Sequence, residues 1–143
     1  MMIPVSQRAE PVLRFQVMLE HGVPLALRGQ DDFHNFADRA KELGIQFVQQ
    51  RALEKVEPYE KILIAAGVSD DQVCYVGDDV VDLPILIRAG LAVGVADGDP
   101  FVRRHIHYRT RARGGLGAVR EIVEVILAAQ GKWDAVLKHY LEP

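Results

Sequence analysis

The chain has 143 residues, 49% of them apolar and 26% charged, with a formal net charge of −3. That is enough for one domain with a real core, and the slightly acidic balance gives no electrostatic case for nucleic acid or an anionic membrane as partner. One cysteine, Cys74, excludes an internal disulfide framework; no apolar run approaches the roughly 18 residues of a membrane span, and no basic-then-apolar leader opens the chain, so a cytoplasmic location is expected.

In chain order, Met1 to Ser6 is apolar enough for a short strand, although Pro4 interrupts any ladder it joins. Val12, Phe15, Met18 and Leu19 fall at helical spacing between Pro11 and Glu20, and Gly22 supplies a stop. Val23 to Leu27 reads as a buried strand. Asp31 or Asp32 then caps a helix carrying Phe33, Phe36, Ala37, Ala40 and Leu43, closed by Gly44. Ile45 to Val48 is the next strand, and Pro58 opens a helix with Tyr59, Ile62, Leu63 and Ala66 inward, ended by Gly67.

The most informative stretch is Cys74-Tyr-Val-Gly-Asp-Asp-Val-Val-Asp-Leu-Pro84. Val73 to Val76 form a short β-prone apolar run, Gly77 stops it, and Asp78, Asp79 and Asp82 follow. A helix from about Val81 to Ala89 comes next, with Pro84 in its first turn, where a missing N–H costs nothing. Carboxylates are thus placed just beyond the carboxyl end of a buried strand, where open α/β sheets bind ligands. They repel one another unless a cation or a helix N-terminus offsets the charge, and hard oxygen ligands there suit Mg²⁺. A plainer reading stands beside this one and is compatible with it: Asp79 as N-cap and Asp82 as its capping-box partner. Cys74, inside the strand, reads as a small buried hydrophobe rather than a nucleophile.

Beyond Gly90 come a strand at Leu91 to Val95, a short helix after Asp99-Pro100, and an edge strand at Ile106 to Arg109. Gly114, Gly115 and Gly117 form a loop, followed by a helix with Val119, Ile122, Val123, Ile126 and Leu127 on one face. After Gly131 a last helix carries Trp133, Val136, Leu137 and Tyr140 at helical spacing, apolar groups expected to pack back on their own core. Strands alternating with helices predict a doubly wound parallel sheet with right-handed crossovers. The whole of 1–143 reads as a single domain, with 132–143 a C-terminal helical tail.

From about Val12 to Gly131 the chain resembles the haloacid dehalogenase superfamily, in particular the cap-less phosphatases of 3-deoxy-D-manno-octulosonate (KDO) 8-phosphate. Four stretches carry the resemblance: Ala40-Lys-Glu-Leu-Gly-Ile45, Tyr75-Val-Gly-Asp-Asp-Val-Val-Asp-Leu-Pro84, Gly90-Leu-Ala-Val-Gly-Val-Ala-Asp97, and Gly114-Gly-Leu-Gly-Ala-Val-Arg-Glu121. It implies a Rossmann-like fold without a cap domain, and phosphoryl transfer through an aspartyl-phosphate with Mg²⁺ neutralising the transferred group. It also implies a place in lipopolysaccharide biosynthesis. The metal motif matches Asp78, Asp79 and Asp82, with Asp78 as direct ligand, and the phosphate-holding lysine matches Lys55, twelve residues before Gly67. Without the resemblance, Lys55 reads as an exposed lysine at a helix start. On the substrate side the resemblance implies Arg28, Gly29, Gly114 and Gly115.

Two family features have no counterpart. The Asp-x-Asp motif that carries nucleophile and acid/base is not found, since no Asp precedes Asp31, and Arg28-Gly29-Gln30 stands where the family has Thr or Ser, Gly, Arg. An arginine fork grips phosphate but replaces no nucleophile. The expectation is a phosphatase-lineage protein with impaired chemistry and a weak or lost Mg²⁺ site. Its alternatives are a non-catalytic binding or assembly subunit, a truncated copy, an active phosphatase using another carboxylate (Asp31 or Asp32), or one completed by a second chain. If active, its substrate is a small phosphorylated sugar acid. In family topology the missing strand lies between those at Val23 and Val73, a gap expected to be filled by Met1 to Ser6. The family tetramer is built largely through a hairpin with no counterpart here, so a monomer–dimer mixture is expected.

Overall fold

The computed structural model describes residues 2–4, 26–29, 41, 47–50 and 54–142. Among the described residues, and apart from the single helical Lys41, six strands and four helices follow in order: β1 (Met2–Pro4), β2 (Ala26–Gly29), β3 (Phe47–Gln50), α1 (Val56–Ala66), β4 (Val73–Gly77), α2 (Leu83–Leu86), β5 (Leu91–Gly94), β6 (Tyr108–Arg109), α3 (Ala118–Ala129) and α4 (Trp133–Leu141). The strands form one sheet in the order β3-β2-β1-β4-β5-β6. β2 and β3 pair in parallel, as do β4, β5 and β6. The expected α/β architecture is therefore present, with parallel pairing on either side of β1.

β1 fills the gap between β2 and β4, as expected, but runs antiparallel to both, with Met2 opposite Ala26 and Tyr75, and Pro4 opposite Val73. Pro4 sits at the end of the three-residue strand, where its missing N–H breaks the ladder least. Several other boundaries move. β2 runs to Gly29, two residues past the predicted end at Leu27, and β3 runs to Gln50, two past Val48. α1 opens at Val56 rather than Pro58. The predicted helix after Asp79 is a 3₁₀ turn, Val80–Asp82, followed by only four α-helical residues. The short helix after Pro100 is a 3₁₀ turn over Val102–His105, and the edge strand shrinks to Tyr108–Arg109. The predicted helices of 11–20 and 31–43 lie outside the described residues, Lys41 excepted, which is helical.

β4 is buried throughout, and its alternation sends side chains to two cores. Cys74 and Val76 pack with Val93, Val95, Ile122, Val123, Ile126, Leu127 and Val136 beneath α3 and α4. Val73 and Tyr75 pack on the other face with Tyr59, Ile62, Ile85, Leu86 and Val102. Helices thus cover both faces of a sheet whose central strands read as unbroken apolar runs. Burial pushes the Cys74 thiol up to about 12, in keeping with an inert core residue. In α4 only Val136 is fully buried; Leu137 and Tyr140 are exposed, against the expectation that they pack on their own core. Among the described residues no helix is long and apolar enough to cross a membrane.

Candidate functional site

The carboxyl end of β4 ends at Gly77, and the next five residues double back on it. Asp79 is the N-cap of the 3₁₀ turn: its Oδ1 accepts the Val80 N–H at 2.6 Å. Asp82 completes the capping box, its Oδ2 accepting the N–H groups of Asp78 and Asp79 at 3.1 and 3.2 Å. The turn fits because residue 77 is glycine. A Cβ there would lie 2.7 Å from the Asp82 Cβ and 2.9 Å from its Cγ.

Asp82 is 1% exposed, so its charge must be compensated. Besides the two backbone donors, its Oδ1 accepts the Tyr75 hydroxyl at 2.7 Å and pairs with the Lys55 ammonium. Four donors meet the four acceptor sites of a carboxylate. Burial alone raises this carboxyl, but the Lys55 and Tyr75 hydrogen bonds outweigh it and hold it below the usual range. Lys55, with a side chain only 12% exposed, is not the exposed lysine of the plainer reading. It occupies the N-cap of α1, where a cation opposes the helix dipole, so the pairing with Asp82 rather than the helix stabilises it there.

Asp78 and Asp79 are exposed beside this pair. Burial first, and then the negative charge of Asp82, push the Asp78 carboxyl upward. The Asp78 carbonyl accepts the Asp99 N–H at 2.7 Å, which ties the β4 loop to the loop after β5. That second loop carries Asp97, whose Oδ1 accepts the Gly114 N–H at 2.7 Å. This hydrogen bond holds the Asp97 carboxyl below the usual range. Gly114 and Gly115 are thereby brought to the strand edge that bears Asp78. Arg28 and Gly29 end β2, and because β2 points the same way as β4 they lie on the same sheet edge, with β1 between.

Among the described residues no three His, Cys, Asp or Glu side chains gather as a ready-made metal cluster. The donor set at Asp78 nevertheless fits Mg²⁺, which takes one or two carboxylates and keeps several waters. Two residues that sequence reasoning left without a role contribute here: Tyr75, through Asp82, and Asp97, through Gly114. The alternation of β4 put Tyr75 opposite Cys74 in facing, but its reach to a residue seven positions on needed the fold.

Comparison with known proteins agrees with this architecture. No family model matches the chain. The 3-deoxy-D-manno-octulosonate 8-phosphate phosphatase KdsC of Yersinia pestis is 43% identical over 97 residues, which are 68% of this chain and 52% of that protein. The chain thus spans about half the length of the curated relatives it matches. The probable YrbI family phosphatase of Pseudomonas syringae superposes with a TM-score of 0.84 at 40% identity, over 90% of this chain and 73% of that one. The 3-deoxy-D-manno-octulosonate 8-phosphate phosphatase of Moraxella catarrhalis, solved with magnesium, phosphate and KDO, superposes with a TM-score of 0.82 at 32% identity, over 88% and 72%. With the matching sheet, the Gly-Asp-Asp-x-x-Asp turn and the Gly-Gly-x-Gly loop in place, the chain belongs to the KDO 8-phosphate phosphatase (YrbI, KdsC) family of the haloacid dehalogenase superfamily.

Proposed function

We propose that the carboxyl edge of β4 is the metal- and phosphate-handling part of a KDO 8-phosphate phosphatase site, and that this chain alone is catalytically impaired. The observation that carries the reading is the buried Lys55–Asp82 pair placed beside Asp78. A buried ion pair is weak evidence for a stabilising role, because its desolvation cost offsets most of its attraction. Here it presents a fixed ammonium at the sheet edge. In this reading Lys55 grips a phosphate oxygen, Asp78 binds Mg²⁺ directly, and Asp79 and Asp82 shape the turn and lend charge. Mg²⁺ would supply charge neutralisation of the phosphoryl oxygens. Gly114, Gly115, Arg28 and Gly29 lie on the substrate side, and the substrate class is a small phosphorylated sugar acid.

The course of the middle strand supports impairment. In this family the nucleophile follows a parallel central strand, whereas β1 runs the other way, so its amino-terminal rather than its carboxyl end faces the Asp78 edge. No Asp-x-Asp motif stands there. Parts of such a site act as a unit, and loss of the nucleophile alone costs orders of magnitude in turnover. The assay is Mg²⁺-dependent phosphate release from KDO 8-phosphate by the purified chain, alongside Asp78→Asn. Turnover near background in both supports impairment. Robust turnover abolished by Asp78→Asn would refute impairment while keeping the site.

A further inference from the structure

The loop that bears Gly114 has two left-handed glycines, Gly115 at φ +72° and Gly117 at φ +105°, and little side chain to pack. Its fixed position beside Asp97 therefore needs a tether. Arg113 does not provide one: it is 68% exposed and 3.6 Å from Asp97, a geometry in which surface ion pairs contribute little. Glu121 has what is required. Its carboxylate, on the first turn of α3, accepts the Arg111 N–H at 2.9 and 3.0 Å, the Ala112 N–H at 2.9 Å and the Tyr108 hydroxyl at 2.8 Å. Two backbone donors, one phenol and two oxygens make a charge-assisted clamp.

From there the connections run to the site without a gap. The Ala112 carbonyl accepts the Ala96 N–H at 3.3 Å and the hydroxyl of buried Thr110 at 2.7 Å. Next to these, Gly114 donates to Asp97, and two residues further Asp99 donates to the Asp78 carbonyl. We propose that Glu121 is a positioning residue: it holds the Arg111–Gly117 turn against the Asp97–Asp99 loop and so sets the wall of the site beside Asp78. The proposal deepens the phosphate reading and rests on it for the word "site". The competing role for Glu121 is an acidic residue favoured by the N-terminal dipole of α3, which stabilises the helix and leaves the loop indifferent.

Amide exchange on the full chain separates the two. Glu121→Ala should speed exchange at Arg111, Ala112 and Gly114 by roughly tenfold or more, relative to the amides of β5, because local opening no longer breaks the clamp. Glu121→Gln keeps one acceptor oxygen for the two backbone donors, and its amide group can donate to Tyr108 but opposes the Arg111 N–H, so slow exchange should return in part. A second arm titrates inorganic phosphate with Mg²⁺ present: Glu121→Ala should bind more weakly than wild type, and Glu121→Gln should fall between the two. Unchanged exchange at Gly114 in Glu121→Ala, acceleration shared evenly by all α3 amides, or no rescue by Gln would each overturn the assignment. If the wild-type chain binds no phosphate at all, the phosphate reading falls, while the exchange result still decides whether Glu121 holds the loop.

Discussion

Replacing Gly77 with alanine tests the central geometry most directly. In an unstrained position such a change stabilises by about 0.4–1 kcal/mol through the unfolded chain, and the backbone of Gly77 is not left-handed. Here the new methyl would stand 2.7 Å from the Asp82 Cβ, against an optimum of about 3.5–4.0 Å for two carbons. The obstructing atom is attached to the main chain, so no side-chain rotation relieves it; the 3₁₀ turn itself must shift. Overpacking costs about 1–3 kcal/mol, and hydrogen bonds to a charged group are worth roughly 1.5–3 kcal/mol. A net loss of about 3 kcal/mol follows, or a fall in Tm of roughly 10 °C for a chain of this size. Urea unfolding by circular dichroism measures it. Asp82→Ala, which strands Lys55, should cost about 3–5 kcal/mol by itself. If Gly77→Ala acts by displacing Asp82, the two losses will overlap in the double variant. A loss below about 0.5 kcal/mol, or strict additivity, would refute the argument.

Three further outcomes follow from the structure. Gly90→Ala should not fold stably, because its Cβ would meet the Asp71 carbonyl oxygen at 2.1 Å; a soluble variant with unchanged Tm would contradict this. Cys74, buried and with its thiol pushed up to about 12, should react with a thiol reagent at pH 8 only as fast as the chain unfolds; labelling at the rate of a free thiol would be incompatible with the core. Burial raises the Glu121 carboxyl, but the Ala112 and Arg111 N–H groups outweigh it and lower the carboxyl overall. Its contribution is therefore present above the unfolded value near 4.3 and lost as pH falls through the lower folded one. Glu121→Gln should flatten the acid limb of the stability curve below about pH 4.5, and an unchanged acid limb would count against the clamp.

How much of this was legible in the sequence depended on the reach of each interaction. The turn at Asp78 to Asp82 is local, and Gly77, the capping pattern and Pro84 announce it within eight residues. The two-faced burial of β4 follows from its apolar run between helical segments. Lys55 is different: it meets Asp82 across 27 positions, and before the fold only family resemblance distinguished it from a surface lysine. The clip between Asp97 and Gly114 spans 17 positions: Gly114, Gly115 and Gly117 mark their own loop, but nothing in either loop names the other as its partner. β1 was read as filling the gap, but three residues with no hydrophobic alternation to speak of carry no signal of direction, so its antiparallel course was invisible. Helical spacing put Leu137 and Tyr140 on the same face as Val136, yet α4 docks through a stripe too narrow to bury them. Spacing reports which residues share a face, not how wide the contact is.

On the proposed reading, the charges at the edge of β4 also dictate an order of binding. Asp78, Asp79 and Asp82 against Lys55 leave an excess of two negative charges when all are ionised. Phosphate is itself a dianion near neutral pH. Two unit charges about 6 Å apart repel by roughly 3 kcal/mol at an effective dielectric constant near 20, and several such pairs are made when phosphate approaches Lys55. One ammonium already shared with Asp82 does not overcome that. A divalent cation at Asp78 makes the cluster neutral and removes the barrier. Phosphate should therefore raise the Tm of this chain only with Mg²⁺ present, and by an amount that grows with the logarithm of phosphate concentration above its Kd. Asp78→Asn should abolish the joint effect while leaving the unliganded Tm equal or higher, since it removes a carboxylate crowded by Asp82. Thermal unfolding across a phosphate series, in EDTA and in Mg²⁺, reads this out. Equal stabilisation by phosphate in EDTA would show that Lys55 binds the anion without help from the carboxylate edge, and the assignment of Asp78 as the metal ligand would be lost.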